Sequence, residues 1–506
     1  MPADAGVQWS HRDVKRIVSG VLLGMLLAAF DQTVVVTALP TMAAELNGLQ
    51  HLSWIVTAYL LTSTASTPIY GKLSDLYGRR RLFEIAIALF VASSALCALA
   101  QTMGQLIAAR ALQGIGGGGL ISMAQAILAD VIAPRERGRY QAYMSGTWAL
   151  ASIGGPAMGG FFVEYLSWRW VFWINLPIGI GALLACRHAL RRLVTRRGLQ
   201  RIDYLGAALL IIAVTLLLLV AASGGTELPW TSPEILGSLA LSIVLLLAFT
   251  LQELRAPEPI LPPRLFVNPV IRIANLISFV VSMAMFGASV LLPVFLQLVN
   301  RIGAGNSGLL LIPLLGGSVV GSFVASRRML RTGRYKPTPI VGLAFSTIAW
   351  LLLATMTQTT PGWLASIYMG LLGIGIGSAM PMMMVATQNA AETRDIGVAT
   401  ASVTFFRSLG GSFGAAILWS ILVYALGRNL AAMGAGGPER GAALLRSGGP
   451  ASTALPEALV PALAQSFSLV FIIGAAVTAV SFVLICFIKE IPLRSTPARA
   501  ASIPVE

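Results

Sequence analysis

The chain has 506 residues, 56% of them hydrophobic and only 11% charged, against about 25% charged in ordinary soluble domains. Its mean hydropathy is +0.79, which excludes a soluble enzyme or binding module, because too little charge is present to wet a surface on all sides. The formal net charge of +15 would suit nucleic acid, but the Lys and Arg residues sit in short clusters between apolar runs, at alternate connections, a pattern of membrane insertion rather than of a partner.

A membrane-spanning helix needs about 20 mostly apolar residues. Fourteen runs approach or exceed that length: 16–40, 53–70, 82–101, 104–129, 140–164, 170–189, 203–223, 235–253, 270–298, 305–326, 339–357, 362–388, 397–426 and 465–488. The first follows Arg12, Lys15 and Arg16 and reaches Pro40. It also carries an acid that an export signal does not need, so it is expected to be an uncleaved helix. The run 104–129 is rich in glycine and is expected to be the least apolar. An even number of spans puts both termini on one side. Of 35 Lys and Arg, Arg110 and Arg407 lie inside runs, and Arg169, Arg301, Arg428, Arg440 and Arg446 lie on one face. All the others lie on the face that holds the termini, which is therefore expected to be cytoplasmic. The connection 427–465 is expected to be a long external loop, and the tail after Pro492 to lack fixed structure.

Shifting the chain by about 259 residues superposes parts of it. Gly114, Ile115, Gly116, Gly118 and Met123 meet Gly373, Ile374, Gly375, Gly377 and Met382, and Arg135, Glu136 and Gly138 meet Arg394, Asp395 and Gly397. Repeats around a central pathway are a common transporter plan. The expected organisation is an all-α membrane protein: a six-helix bundle over 1–190, a two-helix insert with linkers over 191–262, and a second six-helix bundle over 263–506.

Cys97, Cys186 and Cys486 fall in three different runs, and His11, His51 and His188 are scattered. Neither set has metal-ligand spacing, and no disulfide framework is expected. No G-x-x-x-x-G-K-[ST] sequence is present, since Gly116 to Gly119 fall inside a span with no Lys-Ser/Thr after them. The expectation is no metal, no cofactor and no direct use of ATP.

The connection after the second run reads Gly71-Lys-Leu-Ser-Asp75-Leu-Tyr-Gly78-Arg79-Arg80-Arg81. It resembles the signature G-x-L-x-D-x-x-G-R-[RK]-x of the major facilitator superfamily. The resemblance implies two six-helix bundles and a cytoplasmic latch built on Gly71, Asp75, Gly78, Arg79 and Arg80, with Asp130 as a further member. The later stretch Ser326 to Lys336 is a degenerate copy without the acid. Gly154-Gly155-Pro156-Ala-Met-Gly159-Gly160 is similar to the antiporter motif of the same superfamily, in which Gly155, Pro156, Gly159 and Gly160 imply a bent, close helix contact. Three further stretches, Asp31 to Pro40, Trp168 to Gly179 and Phe405 to Gly414, resemble the fourteen-helix drug/proton antiporters.

Asp31 is the one acid deep inside a run, and intramembrane carboxylates are costly enough that a functional reading comes first. Arg110, in Arg110-Ala-Leu-Gln113-Gly114, is its expected partner. At about 1.5 Å rise per residue, both fall about 10–13 Å below the outer ends of their helices. Burial raises a carboxyl's pKa and a nearby Arg lowers it, so a change in hydration or in the Arg distance can load and unload a proton on Asp31. A fixed Asp–Arg pair joining two helices is the structural alternative. Gln113, Met283, Phe286, Met382, Phe405, Phe406 and Arg407 are expected along the substrate cavity, Met and Phe because they suit varied apolar ligands. The resemblance thus implies a proton-driven exporter of lipophilic small molecules in the inner (cytoplasmic) membrane, multi-pass and monomeric. Transport of a lipid or a secreted metabolite is the alternative within transport. A lipid-modifying enzyme would need acids, His or Ser clustered near one interface, and a sensor without turnover would not need Asp31 and Arg110.

Overall fold

A computed structural model describes residues 11–48, 51–134, 136–192, 203–224, 228–302, 310–433, 437 and 459–493. The basic connection 193–202, most of the expected external loop 427–465 and the tail beyond 493 lie outside the described residues.

Seven helices build the first group. They are α1 (His11–Glu45), α2 (Leu52–Tyr77), α3 (Arg79–Leu99), α4 (Met103–Val131), α5 (Arg137–Tyr165), α6 (Trp170–Trp173) and α7 (Asn175–Ala189). The insert consists of α8 (Tyr204–Ser223) and α9 (Pro233–Arg255), with the short α10 (Pro263–Val267) following it. The second group comprises α11 (Pro269–Leu298), α12 (Ile312–Thr332), α13 (Pro337–Ala354), α14 (Gly362–Ala390), α15 (Ile396–Ala432) and α16 (Val460–Phe487).

Local chemistry sets many of the ends. Thr102 caps α4 by accepting from Gln105 N–H, Asp203 caps α8 through Gly206 N–H, and Ser232 caps α9 with Pro233 at its first position, where the missing N–H costs nothing. Gly333 ends α12 in the left-handed conformation, φ 69°. Gly78, at φ 94°, separates α2 from α3 with a turn that a side chain would strain.

The helices outrun several of the apolar stretches. α1 passes through Pro40 to Glu45, α15 continues six residues beyond the expected 426, and α16 begins at Val460 rather than 465. Among the described residues, eleven helices are long and apolar enough to cross a membrane. α4 is one of them, although it was expected to be the least apolar. The spans that fall short are α2, α5 and α12. α2 is rich in Ser and Thr, and all three spend a face on protein rather than lipid: α2 packs on α15, and α5 packs on α12.

α1 to α7 pack chiefly among themselves, as do α11 to α16. Each group has its own apolar core: Phe83, Phe90, Leu120 and Ile127 in the first, Phe295, Trp350, Phe467 and Phe471 in the second. The insert is more than a spacer. α8 lies on both α2 and α15, and Leu210, Val214 and Leu218 join Leu61, Val398 and Leu409 in a third core that bridges the two groups. Glu253, at the end of α9, accepts from Ile260 N–H and Leu261 N–H, pinning the linker that returns to the second group. Trp230 Nε1 donates to Ser420 Oγ, 2.9 Å away on α15.

Candidate functional site: a buried carboxylate and the seam between the groups

Asp31 sits in the middle of α1 and is fully buried. α4 presents Arg110 and Gln113 to it from one face, since residues three apart on a helix are neighbours. Arg110 Nη1 donates to Asp31 Oδ2 at 2.6 Å, and also to Gln113 Oε1 at 2.8 Å, while its Nε donates to the Ile55 carbonyl at 3.1 Å. Gln113 Nε2 donates to Asp31 Oδ1 at 2.9 Å. The Arg110 guanidinium lies over the Tyr59 ring, 4.3 Å from its centre, which adds a cation–π contact in a site closed to water. Gln113, expected on the cavity wall, is instead wholly buried in this network.

A residue without an expected role completes the site. Asn175, the first residue of α7, donates through Nδ2 to Asp31 Oδ1 at 2.8 Å and to Ser94 Oγ at 3.0 Å. Ser94 in turn donates to the Phe172 carbonyl. Asn175 stood inside the Trp168 to Gly179 stretch, and an amide in an otherwise apolar run was the available signal. Tyr59 and Ser94 gave none, because single hydroxyls are common in spanning helices. The carboxylate thus accepts from three side chains on two helices. Its charge is the one that can change, since Arg stays protonated in proteins.

The antiporter-like motif packs α5 on α1. A Cβ at Gly155 would meet Thr33, and one at Gly159 would meet Thr37 and the Val34 carbonyl. Thr33 Oγ1 also donates to the Ala151 carbonyl at 2.8 Å. Gly160 differs: it points away from α1, with open space where a Cβ would go. Pro156 is likewise exposed, so the contact is carried by Gly155 and Gly159.

The latch-like residues meet at the end of the helices that bears the basic connections. Asp75 accepts from Arg79 Nη2 at 2.5 Å and, across the seam, from Gly397 N–H at 3.2 Å and Val398 N–H at 3.0 Å, the first turn of α15. An anion there meets free N–H groups and the positive end of the helix dipole. Arg79 also donates through Nε to Asp130 Oδ2 at 3.0 Å, and through Nη1 to Ser74. Asp75 lies past the apolar run of α2. Burial pushes its carboxyl up to about 6, against the lowering effect of Arg79 and with a smaller push from Asp130. Gly71 faces Ala401 and the Gly397 carbonyl so closely that a side chain would not fit. Arg80 takes no part and pairs with Glu84 on its own helix. Lys72 pairs instead with Glu258 of the linker at 2.5 Å.

More contacts close the same end. Arg137 Nη1 donates to Gln388 Oε1 at 3.3 Å, Ser145 and Ser322 share a hydrogen bond of 2.8 Å, and Gly138 abuts Ser326 and Met329. Toward the other end, Phe286 and Val36 are about half exposed. The expected cavity residues divide accordingly. Phe286 is exposed, and Met283, Phe406 and Arg407 are partly so. Met382 is buried in the core of the second group and Phe405 in the bridging core, so neither lines a cavity here. Among the described residues, none is hydrogen-bonded or ion-paired to Arg407, and no group of three His, Cys, Asp or Glu is placed to hold a metal.

The family model of the Major Facilitator Superfamily matches residues 21–415. An uncharacterized MFS-type transporter of Mycobacterium tuberculosis (strain H37Rv) is 40% identical over 94% of this chain and 70% of its own length. Multidrug resistance protein 3 of Bacillus subtilis is 32% identical over 95% of this chain and 96% of its own length. The solved structure of the proton:xylose symporter XylE, 16% identical, aligns over 97% of this chain and 99% of its own with a TM-score of 0.64, a likeness of fold. Multiple apolar helices in two groups, a latch-like seam and relatives of this kind leave no place for an enzyme: the chain is a multi-pass membrane transporter and belongs to the major facilitator superfamily.

Proposed function

We propose that this transporter is a proton-coupled antiporter that exports lipophilic small molecules across the inner (cytoplasmic) membrane by alternating access. The observation that carries the reading is the Asp31 site: a carboxylate with 0% exposure inside a spanning helix, held by Arg110, Gln113 and Asn175. Such a group is expensive in a membrane, so a functional reading comes first. The export direction rests on the Gly155/Gly159 contact of α1 with α5 and on the multidrug relative. With the basic connections cytoplasmic, the closed seam at that end suits the outward-facing half of the cycle. Asp31 takes a proton from the outside, the latch opens, and the proton leaves to the cytoplasm as substrate is loaded. A membrane potential supplies about 2.3 kcal/mol per charge per 100 mV.

The test is proton release from purified protein in proteoliposomes on addition of lipophilic cations and neutral drugs, with wild type beside Asp31→Asn. Release in wild type that is lost in the variant supports antiport with Asp31 as carrier. Release that survives the substitution sinks it. Silence from both removes the multidrug reading and directs the search to lipids and secreted metabolites.

A further inference from the structure

The two amides on Asp31 are not equivalent. Gln113 is engaged at both ends, Nε2 on Asp31 and Oε1 on Arg110. Turning it over would break its link to the guanidinium. Asn175 is engaged only through Nδ2, which is shared between Asp31 Oδ1 and Ser94 Oγ. Its Oδ1 is buried and has no hydrogen-bond partner, an arrangement that costs free energy and calls for a reason. Asn175 itself is 0% exposed.

A carboxylate accepts hydrogen bonds and does not donate. A carboxylic acid has one O–H to give. When a proton arrives on Asp31 Oδ1, the NH2 of Asn175 faces a donor and the contact turns unfavourable. A half-turn of the Asn175 amide corrects this. Oδ1 then faces Asp31 and accepts the new O–H. It also faces Ser94, whose single O–H can turn from the Phe172 carbonyl to donate to it. The oxygen gains partners, the NH2 takes the place the oxygen held, and the Arg110–Gln113 contact stays intact.

We propose that Asn175 is a positioning residue with two settings, amide hydrogen toward Asp31 when the carboxyl is charged and amide oxygen toward it when the carboxyl is protonated. The inference rests on the reading of Asp31 as the proton carrier. Hydrogen bonds to a charged group are about twice as strong as neutral ones, so Asn175 favours the charged setting on balance while still supporting the acid.

The experiment is an infrared difference titration of the full-length protein in lipid nanodiscs. The protonated-carboxyl band of Asp31 is assigned by its absence in Asp31→Asn. Wild type is compared with Asn175→Ala and with the near-isosteric Asn175→Asp, which keeps the shape of the site should the Ala variant fail to fold. In Asn175→Ala the band is expected to reach half height about half a unit to one unit higher in pH, and to move to the position of an acid whose O–H has lost an acceptor. In Asn175→Asp, two carboxyls within hydrogen-bond distance share one proton, and half height is expected more than about one unit higher. A midpoint and band position unchanged in Asn175→Ala overturn the proposal and make Asn175 a packing residue, whatever happens to the melting temperature. If Asn175→Ala cannot be folded, an unchanged midpoint in Asn175→Asp overturns it equally. Failure of the carrier reading is separate: it shows as substrate-evoked proton release that persists in Asp31→Asn, whereas failure of this inference shows in the bands alone.

Discussion

Arg110 reaches Asp31 across the interface of α4 and α1 and closes a 2.6 Å hydrogen bond to Oδ2, with both side chains at or below 1% exposure. A pair so buried repays its desolvation only while both partners are present. Arg110 is tied further to the Ile55 carbonyl and Gln113, so the guanidinium is fixed in the plane that presents Nη1 to the carboxylate.

This asymmetry predicts the outcome of a double-mutant cycle. Arg110→Leu leaves a bare carboxylate in the helix packing and is expected to cost about 3–5 kcal/mol. Asp31→Asn with Arg110→Leu removes both charges and is expected to recover most of that loss without recovering proton coupling. Thermal melting of the four proteins in detergent checks the first part, and proton release in proteoliposomes the second. A double variant no more stable than Arg110→Leu would show that the pair does not hold α1 to α4.

The glycines of α5 predict a contrast between two positions five residues apart. Gly155→Val drives methyl groups into Thr33 and is expected to cost about 1–3 kcal/mol by overpacking, with transport lost because α1 and α5 can no longer touch. Gly160→Val meets open space and is expected to leave both melting and transport near wild type. Equal effects of the two substitutions would contradict the assignment of the contact to Gly155 and Gly159.

Asp75 predicts a pH dependence of the seam. Its carboxyl is pushed up to about 6 by burial in the closed arrangement, whereas an exposed Asp titrates near 3.9. Protons bind more tightly to the closed state, so acidification favours closure. The effect develops as pH falls through about 6 and is complete below the exposed value. It is opposite in sign to that of a carboxylate whose pKa is lowered by its ion pair. Spin-label distances across α2 and α15, in an Asp31→Asn background that removes the carboxyl of the α1 site, are expected to show a larger closed fraction at pH 5 than at pH 7.5. A fraction that falls on acidification would mean that the charged Asp75 is the better partner for α15.

Much of this site could be read before the fold was known, for reasons that also explain the rest. Asp31 and Arg110 stand out because charge is rare in an apolar run, and counting rise per residue from helix ends brings them to one depth. The latch-like residues have spacing that no ordinary turn requires. Met382 and Phe405, expected along the cavity, are buried in packing cores here, and their faces were hard to read because helix faces lose their contrast in a membrane. Lipid and protein core are both apolar, so the 3.6-residue alternation that marks a buried face in water is absent. The overrun of α1 beyond Pro40 has a similar cause, since one proline removes one hydrogen bond and does not end a helix held by its neighbours. The position of α8 was not legible at all: its apolar residues suit lipid as well as the bridging core, and only the fold shows which of them meet Leu61 and Leu409.

That position gives the last prediction. The linker beyond α9 carries Glu258 onto Lys72, a residue inside the latch-like sequence whose side chain is 9% exposed while that of Glu258 is 31% exposed. α8 meanwhile rests on α2 and α15, the two helices that separate if the seam opens. The insert is therefore placed to bias the seam toward closure. Glu258→Lys sets two cations against each other and is expected to shift the balance toward the open seam by about fivefold, the equivalent of about 1 kcal/mol. Lys72→Glu alone does the same, while the two together restore the attraction and recover most of the closed fraction. The same spin-label distances across α2 and α15 read the result, with high salt as a further check, since a pair exposed on its Glu258 side is partly screened. If the exchanged pair stays as open as the single variants, Lys72 acts on the seam through its packing against the linker and not through its charge.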